Sequence, residues 1–124
     1  MDLYRDIILD HYKHPRNFGI LNEYDTTANA ANTTCGDSIR MDILYGKNKK
    51  REQIIADIKF SGIGCAISQA SASMLTEFVK GKPVDEVRKI GSKVVLTMVG
   101  GQLTPTRIKC ATLPLEVLTS ALVQ

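Results

Sequence analysis

A chain of 124 residues with 44% hydrophobic and 23% charged side chains has the size and balance of one globular domain, large enough to bury a core without disulfides. The net charge of +3, the absence of Trp and a single dense basic run at Lys47, Lys49, Lys50 and Arg51, marked as a turn by Gly46 and Asn48, give a solvated hairpin tip rather than a nucleic-acid surface. No apolar run approaches bilayer length, and the polar start Met1-Asp2-Leu3-Tyr4-Arg5-Asp6 is no secretory signal, so the expected compartment is the cytoplasm, with neither membrane nor nucleic acid as a partner.

Leu3, Tyr4, Ile7, Ile8 and Tyr12 fall on one helical face, with Asp2 as a candidate cap. His14-Pro15 ends that helix, because proline disfavours helical backbone in the residue before it. Residues 16–34, rich in Asn, Thr and Ala, read as irregular. Ile39, Met41, Ile43 and Tyr45 then alternate with Ser38, Arg40, Asp42 and Leu44, a half-buried strand with Leu44 as one imperfect outward position. After the basic turn Ile54, Ala56, Ile58 and Phe60 alternate again, predicting an antiparallel hairpin.

Ser61-Gly62-Ile63-Gly64 reads as a loop delivering Cys65 to the start of a helix. Ile67, Ala70, Met74, Leu75 and Phe78 are its expected inner face, and Lys80-Gly81 its end. Pro83 suits the first turn of a short helix with Val84, Val87 and Ile90 turned inward. Residues 94–99 fit either helix or strand. Thr104-Pro105 opens the last unit, in which Leu115, Leu118 and Leu122 predict a terminal helix with Pro114 in its first turn. The order implies an α+β fold in which a small antiparallel β-sheet packs against several α-helices, with no internal repeat or linker.

The chemistry rests on three cysteines, an odd number that argues against a disulfide framework and leaves core thiols, a nucleophile or a metal site. Cys35 lies in Thr33-Thr34-Cys35-Gly36-Asp37, a turn before a strand with a carboxylate two residues on. Cys65 sits at a helix start, where free N–H groups and the helix dipole favour negative charge. Cys110, in Arg107-Ile108-Lys109-Cys110-Ala111, is flanked by cations that do the same. None of the three sits within an apolar pattern. The separations, 30 residues and then 45, contain no CxxC pair and exclude a zinc finger or ribbon, so any shared site must be assembled by the fold. With Asp37 there are four ligands, enough for tetrahedral zinc or one [2Fe–2S] cluster. Thiolates hold soft metals, whereas a carboxylate is harder and more replaceable, which suits a site that releases what it holds.

Four segments carry a resemblance across residues 4 to about 122: Tyr12-Lys13-His14-Pro15-Arg16-Asn17, Cys35-Gly36-Asp37, residues 62–73 from Gly62 through Cys65 to Ser73, and Arg107-Ile108-Lys109-Cys110-Ala111-Thr112-Leu113. With them the chain resembles the U-type iron–sulfur cluster assembly scaffolds, which include IscU, SufU and the N-terminal domain of NifU. The resemblance implies one SufE/NifU-like domain over residues 1–124. It also implies that Cys35, Asp37, Cys65 and Cys110 surround one site for iron, zinc or a transient [2Fe–2S] cluster. A cysteine desulfurase is the implied sulfur donor, with Cys35 and Cys110 as candidate persulfide acceptors. Apo iron–sulfur proteins or carrier proteins are the implied recipients.

Two departures bear on the branch. Lys109 stands where Isc-type members have a histidine. Leu103-Thr104-Pro105-Thr106-Arg107 matches their Leu-Pro-Pro-Val-Lys chaperone motif only at Leu103 and Pro105, which puts a dedicated chaperone partner in doubt. Both features look Suf-type, yet the Suf-type insertion before the third cysteine is missing, so the branch stays open. The expected function is a non-enzymatic scaffold. The alternatives are a zinc-dependent sulfur acceptor with sulfurtransferase activity and a structural zinc module for protein binding. His11 and His14 read as surface or packing residues rather than ligands, and Ser68, Ser71 and Ser73 as close packing rather than nucleophiles.

Overall fold

The computed structural model describes residues 3–33, 36–100 and 103–123; the proposed cap at Asp2 and the thiol of Cys35 lie outside them. Among the described residues the order is α1 (Leu3–Lys13), β1 (Thr26–Asn32), β2 (Asp37–Lys47), β3 (Gln53–Ile63), α2 (Ala66–Val79), α3 (Val84–Val87), α4 (Ser92–Met98) and α5 (Pro105–Val123). The strands form one antiparallel sheet in the order β1-β2-β3, and α2 and α5 pack against it. No helix among the described residues is long and apolar enough to cross a membrane.

The α+β architecture and the central hairpin agree with the sequence, and four details differ. First, β1 forms from Thr-Thr-Ala-Asn-Ala-Ala-Asn, a segment poor in β-formers. Tertiary contacts make it a strand. It pairs along β2 from Thr26–Ile43 to Asn32–Asp37, the Thr26 hydroxyl donates to the Ala121 carbonyl at 2.8 Å, and Ala28 and Ala30 pack on the core.

Second, the inward residues of β3 are Ile55, Ile58 and Phe60, not Ile54, Ala56, Ile58 and Phe60. The register shifts between Leu44 and Tyr45: Leu44 faces Asp57 and Tyr45 faces Ile55, so Ala56 is the extra residue of a bulge. A bulge reverses the alternation on its far side.

Third, α1 is more exposed than its apolar pattern suggests. Leu3, Tyr4 and Tyr12 are exposed, while Ile7 and Ile8 pack against Ala70, Met74 and Val99. His11 is the buried residue, its Nδ1 2.8 Å from the Ser73 hydroxyl, which also accepts the Arg16 N–H. Phe78, expected inward on α2, is also exposed, beneath the Lys82 ammonium at 4.6 Å from its ring centre.

Fourth, residues 92–98 are helical, and the terminal helix begins at Pro105 rather than near Pro114. Pro114 removes the N–H that would reach back four residues, a signal that ordinarily marks a helix start. Burial of Cys110, Ala111, Leu113, Val117 and Leu118 carries the helix through it.

The inner face of the sheet, Ile39, Met41, Ile43, Ile55, Ile58 and Phe60, meets Ala72, Leu75 and Val79 of α2 and Leu113, Val117 and Leu118 of α5 in one apolar core. Helix α2 is buried almost all round, which its small side chains permit. Ser71 and Ser73 add polar ties from it: the Ser71 hydroxyl donates to the Ala111 carbonyl of α5 at 2.6 Å, and Ser73 holds α1 through His11. On the opposite face of the sheet, buried Asp42 accepts from the Thr27 hydroxyl at 2.7 Å, Arg40 Nε at 2.9 Å and the Leu21 N–H at 3.2 Å, pinning the segment before β1.

Burial, followed by the nearby Arg16 charge, lowers the pKa of His11 below its ordinary 6.5. The unfolded chain therefore binds more protons than the folded one as pH falls through that value. The stability conferred is complete above about 6.5 and declines as pH drops toward the folded pKa. Urea unfolding of metal-free protein at pH 7.5 and 5.5 checks this: wild type is less stable at the lower pH, and His11→Asn shows a smaller loss over the same interval. Equal losses in the two proteins would assign the decline to other groups.

Candidate metal centre

Three elements bring the candidate ligands to one end of the sheet. Asp37 is the first residue of β2 and pairs with Asn32 at the end of β1. Its neighbour Ser38 pairs with Ile63 at the end of β3, so the chain leaving β3 passes Asp37 as it turns into α2. Cys65 caps the start of α2 with extended backbone. Cys110 lies in α5, which packs across β1 and β2. One ligand atom from each of Asp37, Cys65 and Cys110 lies within 4.8 Å of the other two. Cys110 and Asp37 are buried and Cys65 is half-buried.

Cys65 offers no side-chain cap to α2. Asp37 fills that role from another strand: its Oδ1 accepts the Cys65 N–H at 2.9 Å, and its Oδ2 lies 3.9 Å from the Cys65 sulfur. A carboxylate at a helix N-terminus also opposes the positive end of the helix dipole. Ser68, fully buried one turn into α2, donates its hydroxyl to the Cys65 carbonyl at 3.1 Å and stands 3.9 Å from the Cys65 sulfur. The sequence reading took Ser68 for packing alone. Its offset of three from a capping cysteine was the available signal.

Cys110 differs from its expected setting. Its chain neighbour Lys109 and nearby Arg107 are exposed, while the cysteine faces inward, because successive helical residues point about 100° apart. A polar hollow of about 340 Å³ between the end of β1 and α5 is lined by Asn32, Thr33, Lys109, Thr112 and Glu116, among others. His11 and His14 are not in the cluster. The basic hairpin tip lies at the far end of β2, roughly 30 Å from Asp37 by strand rise.

An antiparallel sheet backed by helices, with two thiols and a carboxylate converging at one end of it, defines a small α+β domain with a candidate soft-metal site. The chain belongs to the NifU-like N terminal domain family, whose model matches residues 3–124. It is 40% identical to the zinc-dependent sulfurtransferase SufU of Bacillus subtilis, over 90% of this chain and 83% of that protein. The aligned stretch of 129 positions is longer than this chain, so that relative carries residues within it that are absent here. The chain is also 36% identical to the iron-sulfur cluster assembly scaffold protein IscU of Aquifex aeolicus, over 93% of this chain and 71% of that protein. Among solved structures, it is similar to a SUF-system scaffold candidate from Fervidobacterium islandicum AW-1, with a TM-score of 0.76, 27% identity and 94% of each chain covered.

Proposed function

We propose that this protein is an iron–sulfur cluster assembly scaffold that binds iron and desulfurase-derived sulfur at Cys35, Asp37, Cys65 and Cys110 and hands the [2Fe–2S] product to apo-proteins. The observation that carries the reading is the convergence of Asp37, Cys65 and Cys110, far apart in the chain, within 4.8 Å. Cys35, two residues before Asp37 in sequence, would complete the set. Ligands drawn from β2, the start of α2 and α5 are held by the core rather than by a flexible loop. Iron and sulfide are cargo here, so the protein works by holding and releasing rather than by turnover.

Sulfur would arrive by thiol exchange. A cysteine thiolate attacks the outer sulfur of a persulfide on a cysteine desulfurase; a new S–S bond forms as the old one breaks, and the desulfurase cysteine leaves as thiolate. Cys35 and Cys110 are the candidate acceptors, and the burial of Cys110 means that its surroundings must open before it can attack. An odd number of cysteines and thiol-based sulfur transfer suit a reducing compartment, the cytoplasm.

A second reading is favoured by the 40% identity to a zinc-dependent sulfurtransferase and by Lys109. The donor set fits zinc: sulfur and carboxylate oxygen, in the number a tetrahedral site requires once Cys35 joins. Zinc bound there would keep the thiolates deprotonated and together. In that case the protein accepts sulfur and passes it on without building a cluster.

Anaerobic titration with zinc tests the shared premise. The expected result is one zinc per chain, with binding weakened by at least about 10-fold in Cys35→Ser, Cys65→Ser and Cys110→Ser. Zinc bound equally well by all three variants would remove the site.

A further inference from the structure

Position 64 holds a glycine although its backbone does not demand one, for Gly64 lies outside the left-handed region that Gly62 occupies. What the glycine supplies is space. A β-carbon at 64 would overlap the Ser68 hydroxyl and stand 2.9 Å from Asp37 Oδ1 and 3.2 Å from Asp37 Cγ. Both neighbours are buried, and both are tied to Cys65: Ser68 through the Cys65 carbonyl, Asp37 through the Cys65 N–H. Ser68 can relieve an overlap by rotating its hydroxyl off that carbonyl. For Asp37 the direct relief is to draw its carboxylate back from Cys65.

We propose that Gly64 is a positioning residue for Asp37. The missing side chain lets the carboxylate settle on the Cys65 N–H, which engages Oδ1 and turns Oδ2 toward the Cys65 sulfur at 3.9 Å. One oxygen committed to the backbone makes Asp37 a one-toothed ligand. Such a ligand is displaced more readily than a chelating one, which matches a site that releases its cargo. The inference rests on the reading of Asp37 as a ligand.

The test is a double-mutant cycle on the full chain, read by anaerobic cobalt(II) titration, whose visible bands report ligand number and type. Gly64→Ala should weaken cobalt binding by about 10-fold, as loss of a ligand's support does, and should shift the visible bands as Asp37→Ala shifts them. The Gly64→Ala/Asp37→Ala pair should be no weaker than Asp37→Ala alone, because a residue acting through Asp37 has nothing left to move. Wild-type affinity in Gly64→Ala, or fully additive losses in the pair, overturns the proposal. Rescue of Gly64→Ala by Ser68→Ala also overturns it, since the glycine would then make room for Ser68 instead.

A metal-free readout separates this inference from the metal reading. The Cys65 amide should lose its protection from hydrogen exchange in Gly64→Ala as in Asp37→Ala. Wild-type protein that binds no cobalt sinks the ligand reading, and the amide still decides whether Gly64 seats the carboxylate. Should Gly64→Ala fail to fold, recovery of folding in the pair supports the proposal and continued failure refutes it.

Discussion

In Asp37→Ala protein a reconstituted cluster should persist longer than in wild type, even though the protein that holds it is less stable. The two effects come from the two oxygens. Oδ1 caps α2 through the Cys65 N–H, and losing that bond costs about 1 kcal/mol of folding free energy. Oδ2 faces the Cys65 sulfur and, in the proposed site, would be the hard, replaceable member of a sulfur-rich set. An acceptor's thiolate displaces an oxygen ligand more easily than a sulfur one, so removing Asp37 removes the route by which cargo leaves. Asp37→Asn separates the roles: its amide oxygen can keep the Cys65 N–H, restoring most of the stability, but it lacks the charge of a carboxylate ligand. Cluster lifetime followed by visible absorption, with urea unfolding alongside, checks both. A lifetime unchanged or shortened in Asp37→Ala would remove Asp37 as the release point.

The second large effect is on the strand that delivers Cys65. Gly62 pairs with Ile39 at a φ of 130°, and a β-carbon there would overlap the Ser38 carbonyl oxygen of β2. Gly62→Ala must therefore strain the backbone and part β2 from β3 at the point where Asp37 and Cys65 approach each other. The expected loss is roughly 3 kcal/mol or more. Gly81→Ala is the control: its φ of 88° is also left-handed, but no atom lies within 4 Å of the added carbon. It should cost only about 1 kcal/mol and leave metal binding intact. Equal losses in the two variants would assign the effect to backbone conformation alone, without the clash.

Much of this architecture was legible because single residues carry strong local physics. His14-Pro15 ends α1, Lys80-Gly81 ends α2, and alternation around Met41 and Phe60 marks the central hairpin. What was hidden depends on partners distant in the chain. Thr-Thr-Ala-Asn-Ala-Ala-Asn becomes β1 only because β2 offers an edge and α5 a surface for Ala28 and Ala30. The bulge at Ala56 is a property of two strands together, so neither strand's pattern announces it. Of the candidate site, the three cysteines and Asp37 stood out as candidate ligands by their odd settings, but not that Asp37 caps the helix Cys65 begins, nor that Cys110 turns away from its charged neighbours. Pro114 misled for a physical reason: its missing N–H is a helix-start signal that burial along α5 overrides.

Whether the converging residues assemble and release a cluster is decided by anaerobic reconstitution with ferrous iron, cysteine and a cysteine desulfurase, followed by addition of an apo-ferredoxin. A scaffold should give a [2Fe–2S] absorption spectrum that is lost in the Cys35, Cys65 and Cys110 variants and that moves to the ferredoxin. Tightly held zinc, no cluster and faster desulfurase turnover would contradict the scaffold reading and make this protein a sulfur acceptor instead.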